Sequence, residues 1–393
     1  MTEEKTGLRS NGLLWFGAAV SIAEILTGAL VAPLGFERGL TAIVIGHIIG
    51  CVLLYGAGLI GAQTGRSAME SCRIAFGGKG SYLFSVLNII QLIGWTAVMI
   101  IGGAKALQGI DLFGFGNELW SLIIGAIIVL WIALGMTKLA KLNIVAVGAL
   151  LALTVVLSFV IFGGHAASSV EGTMSFGMAV ELSVAMPLSW LPLIADYTRQ
   201  AKKPQKATLV SVIAYFIGST WMYLIGLGAA IFVGSTDMTD ILMKAGLGVA
   251  ALVIVILSTV TTTFLDAYSA GVSFNNLSRS FNPQKSAIAV TLLGTAIAIF
   301  TPIEAYQNFL YWIGSVFAPM VAILLTHYFI LKKTEETQLY DWTNLALWAL
   351  GFVIYRVFMT LDTPIGSTVP VMFVVSLLVI LMEKGVKPCF ETR

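Results

Sequence analysis

Apolar residues in this chain fall into long, nearly unbroken stretches separated by short polar connections, with no period-2 alternation to suggest strands. Crossing the hydrocarbon of a bilayer takes about 20 apolar residues in helical form, because only a helix bonds every backbone group within its own segment. Twelve stretches have that length: 13–34, 39–62, 82–108, 119–137, 143–163, 177–198, 208–234, 247–274, 284–301, 304–331, 342–360 and 366–384. The pattern predicts an all-α membrane protein of twelve transmembrane helices. No connection is long enough for a second domain, so residues 1–393 are read as one transmembrane domain. The first stretch is too long for a signal-peptide core and lacks a cleavage site, so it is read as a retained helix. The sixth carries Pro187 and Pro192 within Met186–Pro192, which predicts either a kink or a broken helix. Broken helices at membrane depth survive where they line a cavity, as in transporters.

Charge placement supports the twelve-span reading. Of the 22 lysines and arginines, 18 fall in the termini and alternate loops, and only Arg38, Lys105, Lys244 and Arg356 fall on the other side. Cytoplasmic loops carry such an excess, so both termini are expected in the cytoplasm of a multi-pass cell-membrane protein.

Composition agrees: 58% of the 393 residues are hydrophobic, 11% are charged, and 40 glycines suit close helix packing in lipid. A net charge of +2 gives no reason to expect a nucleic-acid partner. Cys51, Cys72 and Cys389 have no ligand or disulfide spacing. Gly56-Ala57-Gly58-Leu59-Ile60-Gly61 matches a dinucleotide fingerprint but lies inside an apolar helix, where it and the Gly46/Gly50 face read as packing. The P-loop, zinc-protease and serine-hydrolase motifs are missing, and the carboxylates lack His or Lys companions nearby in sequence, so an enzyme is not expected. The sequon at Asn276 falls on the cytoplasmic side and should be inert. His47, His165 and His327 are far apart and read as structural.

Ionisable groups inside spans are costly and usually face a cavity, which singles out Glu24, Glu181 and Asp266. Glu24 lies mid-span with no basic residue in its helix. It can accept a substrate amine, help hold a cation, carry a coupled proton, or be a neutral buried carboxyl. Glu181 lies near a helix end, and Asp196 with Arg199 reads as a structural end pair. Asn88, Gln91 and Trp95 share one stripe of the third span and suit a flat heterocycle. Ser258, Thr261, Thr262 and Thr263 cluster in the eighth. Their hard oxygens suit sodium, or bond back to their own helix. The tenth span repeats the theme with Asn308, Trp312 and Ser315.

With these residues assembled, the chain resembles the nucleobase:cation symporter family, and within it the hydroxymethylpyrimidine permeases. The likeness rests on Leu26-Thr27-Gly28-Ala29-Leu30, Ile93-Gly94-Trp95, Ala195-Asp196-Tyr197-Thr198-Arg199, Thr261-Thr262 with Tyr268, and Asn308-Phe309 with Trp312 and Ser315. It implies a LeuT-type fold: two inverted five-helix repeats (13–163 and 177–331) plus two C-terminal helices (342–384), with helices one and six discontinuous. It places a sodium site on Gly17, Val20, Ser258, Thr261 and Thr262. A ring-stacking tryptophan falls on Trp95 and a polar contact on Ser189.

The sequence also departs from cytosine permeases. Leu92 stands where they carry glutamine, with Gln91 one position earlier; Pro187 replaces an aromatic; and Glu24 replaces a small residue. Trp190 can supply the missing wall, and Glu24 can meet the amino group and ring nitrogen of an aminopyrimidine. The resemblance therefore implies a cation-coupled symporter importing a pyrimidine-type heterocycle, with hydroxymethylpyrimidine, a thiamine precursor, first in line. Glu24, Gln91, Trp95, Ser189 and Trp190 are the expected substrate site. No cofactor is expected beyond sodium as coupling ion. Cytosine, another nucleobase or a hydantoin, with protons in place of sodium, is the alternative.

Overall fold

The computed structural model describes residues 5–110, 113–134, 136–163, 170–234, 248–301 and 306–386. Within these residues the chain is helical and has no β-strand; one isolated parallel bridge joins Thr6 to Ala201. The helices are α1 (Leu8–Ala19), α2 (Ile22–Leu30), α3 (Phe36–Thr64), α4 (Ala68–Ser71), α5 (Arg73–Phe76), α6 (Ser81–Ile110), α7 (Asn117–Leu134) and α8 (Met136–Phe162). They continue as α9 (Phe176–Ser189), α10 (Ile194–Thr198), α11 (Pro204–Gly228), α12 (Gly248–Leu277), α13 (Pro283–Phe300), α14 (Tyr306–Leu325), α15 (Trp342–Phe358) and α16 (Thr368–Leu381). Helical segments stand at all twelve predicted stretches. Among the described residues, eight helices are long and apolar enough to cross a bilayer, and α1 with α2, bent by 51° with the short turn that follows, adds a ninth.

Two groups of helices account for most of the packing. In the first, α1, α2, α3, α9 and α11 lie against one another. Small residues make this close: a Cβ on Gly46 or Gly50 of α3 would strike Ser183 or Pro187 of α9. In the second, α6, α7, α12 and α13 form a frame. Helix α14 leans on α9 and on the last two helices, α15 and α16.

At one end of the molecule, polar contacts tie together several of the loops that carry the basic residues. Arg66 pairs with Glu335 at 3.3 Å, and Arg199 with Glu70 at 3.1 Å. Lys333 pairs with Glu383. Thr6 accepts the Lys202 amide at 2.9 Å, which brings the N-terminal segment to the same end. Asn276 is buried under Arg73, whose Nε donates to its side-chain oxygen at 3.0 Å, so the sequon asparagine is a packing residue.

Candidate functional site

The first helix breaks without a proline. Val20 leaves helical geometry (φ −81°, ψ 81°), Ser21 is extended, and the Ser21 hydroxyl accepts the Glu24 amide at 3.3 Å, capping a new helix. This sets Glu24 in the first turn of α2, facing inward. The sixth predicted span is interrupted at Trp190–Leu193, between α9 and α10. Pro187 is accommodated within α9, packed on Gly50, and does not reach the cavity. Helix α6 receives the freed carbonyls: Gln91 Nε2 donates to Ser189 O at 3.0 Å, and Asn88 Nδ2 to Pro192 O at 3.4 Å.

Between these two interruptions lies a cavity lined by Ala18, Ser21, Ala23 and Glu24 from the first break, and by Met186, Ser189 and Trp190 from the second. Its far wall is Trp95 and Met99 of α6 with Thr262 and Asp266 of α12. One wall therefore belongs to the first packing group and the other to the frame. About 10 Å³ is open to the centre of a water molecule, room for about one water. Of the five residues expected to hold substrate, Glu24, Trp95, Ser189 and Trp190 meet here. Gln91 is fully buried behind the wall, bonded to the Ser189 carbonyl and to Asn88 Oδ1 at 3.1 Å. Trp95 meets Phe309 edge-on at 5.6 Å, and Trp190 meets Trp15 at 5.5 Å.

The expected cation ligands divide. Ser258 Oγ donates to Val20 O at 2.7 Å, joining α12 to the end of α1. Thr262 lines the cavity, and its Oγ1 is buried with no hydrogen-bond partner. Thr261 turns its hydroxyl to Leu257 O, at 2.8 Å in its own helix. Gly17 O accepts the Val20 amide at 3.2 Å, and a Cβ on Gly17 would strike Val147 of α8 at 2.7 Å. Two predicted ligands are thus in direct contact, one faces the cavity, and two are engaged by their own helices.

The three intramembrane carboxyls have contrasting surroundings. Glu181 accepts four hydrogen bonds: from Tyr355, from Thr368 Oγ1 at 2.6 Å, and from the Ser367 and Thr368 amides at 2.6 and 2.8 Å. That set ties α9 to α15 and α16 and has no place in the cavity. Asp266 lines the cavity, is 3% exposed, and accepts no hydrogen bond among the described residues. Glu24 Oε1 accepts from Tyr215 at 2.8 Å, and Oε2 lies 2.6 Å from Ser219 Oγ, which lies 2.7 Å from His47 Nε2. The expected Asp196–Arg199 end pair does not form. Asp196 Oδ1 instead accepts the Ala68 amide at 2.9 Å, because the interruption brings α10 against the α4 turn, and Arg199 reaches Glu70 there.

A family model described as "Permease for cytosine/purines, uracil, thiamine, allantoin" matches residues 3–379. The chain belongs to this family, the nucleobase:cation symporters. It is 27% identical over 338 residues to the cytosine permease of Escherichia coli (strain K12), covering 83% of this chain and 77% of that protein. It is 24% identical over 406 residues to the hydantoin permease of Microbacterium maritypicum, covering 90% and 81%. Among solved structures it shares the fold of Mhp1, a nucleobase-cation-symport-1 family transporter in a closed conformation with bromovinylhydantoin bound. The TM-score is 0.83 at 20% identity, over 97% of this chain and 93% of that one.

Several residues around Glu24 escape a linear reading. His47, read as a structural histidine, and Ser219 and Tyr215, unremarkable in an apolar helix, surround Glu24 only because α3 and α11 pack beside α2. The break at Val20 did leave a local signal. Ser21-Ile22-Ala23-Glu24 has the spacing of a helix-start box, although here the Glu24 side chain turns to α11 instead of back to Ser21.

Proposed function

We propose that this protein is a cation-coupled importer of a pyrimidine-type heterocycle, with a hydroxymethyl aminopyrimidine as the preferred substrate. The observation that carries the reading is the convergence of Glu24, Trp95, Ser189 and Trp190 on one cavity between two interrupted helices. Trp95 and Trp190 supply aromatic walls for a flat ring, and Ser189 supplies a hydroxyl. Glu24 faces the edge where an amino group sits beside a ring nitrogen, a pair of groups that one carboxyl can bond together. Gln91 holds the interrupted sixth helix in place through the Ser189 carbonyl.

Sodium is the proposed coupling ion, taken by the carbonyls of Gly17 and Val20 with the hydroxyls of Ser258, Thr261 and Thr262. The contact between Ser258 and Val20 supports it, since hard oxygens from both helix groups already meet there. The chain is proposed to cross the cell membrane twelve times with both termini in the cytoplasm, as two inverted repeats and two further helices. The packing supports that arrangement: spans one and two group with six and seven, and three and four with eight and nine. The cavity is too small for a ring, so substrate enters when the two groups rock apart and sodium joining them again favours closure.

The test is thermal stability of the purified protein against pyrimidines, purines and hydantoins, each in sodium and in choline. Ligands of the native state raise apparent stability. Greater stabilisation by a hydroxymethyl aminopyrimidine in sodium than in choline is expected. Stabilisation by cytosine or a hydantoin alone replaces the substrate assignment, and none by any ring defeats it.

A further inference from the structure

Hydrogen atoms in the chain from Glu24 to His47 can be counted from its heavy atoms. His47 Nδ1 lies 2.9 Å from Ile43 O, a group that only accepts, so Nδ1 carries a hydrogen. Two links remain, from Nε2 to Ser219 Oγ at 2.7 Å and from Ser219 Oγ to Glu24 Oε2 at 2.6 Å. Each needs one hydrogen, and the serine hydroxyl supplies only one. With a neutral imidazole and an ionised carboxyl, one link is a bare contact between two acceptors, in a place where all three residues are at most 1% exposed. One further proton completes both links and makes the chain electroneutral overall, as burial at membrane depth favours.

We infer that Glu24, Ser219 and His47 form a relay that holds one mobile proton beside the cavity. In one form Glu24 is a carboxylic acid donating to Ser219 Oγ, and Ser219 donates to neutral His47. In the other, the Glu24 proton has passed to Ser219 and the serine proton to Nε2, leaving a carboxylate and an imidazolium with no change in total charge. In both forms the hydrogens at Glu24 are committed to its links with Tyr215 and Ser219, so it meets a bound ring only as an acceptor from N–H groups, as a neutral carboxylic oxygen in the first form and as a carboxylate in the second.

The surroundings suit such a relay. Tyr215 donates to Glu24 Oε1 in both forms. The Tyr223 ring lies edge-on to His47 at 4.6 Å while its hydroxyl bonds Leu182 O at 3.0 Å. Cys51 lies near Glu24 on α3, and Asp266 is the other acidic group of the cavity. No lysine or arginine lines that cavity among the described residues. All three members lie on helices of one packing group, so separation of the two groups leaves the relay whole.

The test reads both ends of the relay in the full-length protein without substrate, so its outcome is separate from that of the transport reading. Infrared difference spectroscopy against Glu24→Gln shows whether Glu24 is an acid, as loss of a carboxylic carbonyl band. If that variant does not fold, Glu24→Asp shifts the band and serves the same assignment. Nitrogen-15 resonance of histidine-labelled protein shows whether His47 carries one proton or two; the chain has 3 histidines, and His165→Gln with His327→Gln isolates it. An acid with a neutral imidazole, or a carboxylate with an imidazolium, is the expected reading. A carboxylate with a neutral imidazole, or an acid with an imidazolium, overturns the count of one proton.

Discussion

Ser258 on α12 donates its hydroxyl hydrogen to the carbonyl of Val20, 2.7 Å away at the end of α1. The bond joins the frame to the first packing group at the point where the first helix is interrupted. A cation arriving between the two oxygens turns the hydroxyl hydrogen aside and takes a lone pair from each. Ser258→Ala removes one ligand and the link together. We expect apparent sodium affinity to fall about tenfold, equivalent to about 1.4 kcal/mol, read as the sodium dependence of thermal stability. Unchanged sodium dependence in this variant sinks the ion assignment at Ser258.

Much of the helix pattern is legible in the sequence because each bilayer-length segment shows as an apolar run, and basic residues mark alternate loops. The sixth-span interruption is legible from two prolines, although only Trp190–Leu193, around the second of them, departs from helix. The site is legible only in part. Glu24 stands out because a carboxyl in an apolar run is costly, but its partner Ser219 is 195 residues away, and the bond that brings His47 to Ser219 spans 172 residues back along the chain. No local pattern encodes such a pairing, which helix packing alone creates. Gln91 shows the opposite difficulty: it shares a stripe with Trp95, yet its amide is drawn to the carbonyl that the broken helix leaves free.

Asp266 accepts no hydrogen bond among the described residues although it is 3% exposed. An acid held in that way costs stability and persists where binding uses it. Asp266→Leu keeps a branched outline and removes the unsatisfied oxygens. It should raise the unfolding temperature, by the equivalent of about 1–3 kcal/mol, while abolishing substrate-dependent or sodium-dependent stabilisation. A less stable variant that still binds both ligands contradicts this.

Glu181 is the counter-case. Its carboxyl sits at the start of α16 and accepts from two amides and two hydroxyls. Glu181→Gln turns an amide donor toward groups that are themselves donors. We expect a loss of about 2–4 kcal/mol of stability, seen as a lower unfolding temperature, with substrate affinity unchanged because Glu181 does not line the cavity. Tight stability with weakened substrate binding is the result that defeats this assignment.

Glu70 lies outside the membrane spans, between α3 and α6, and gives a pH-dependent test of the end cluster. Burial pushes its carboxyl pKa up, but the Ser67 amide at 2.8 Å and the Arg199 guanidinium at 3.1 Å outweigh it and hold it below the ordinary glutamate value. A carboxyl whose folded-state pKa is depressed stabilises the fold fully above its unfolded-state pKa, and loses that contribution as pH falls through the folded value. Wild-type protein should therefore unfold at a higher temperature than Glu70→Gln at neutral pH, and the gap should close on acidification through the glutamate range. Because the pair is partly exposed, added salt should narrow the neutral-pH gap as well. A gap that stays constant or widens in acid means that Glu70 is not held ionised by Ser67 and Arg199, and that the link between α4 and α10 rests on Asp196 and the Ala68 amide instead.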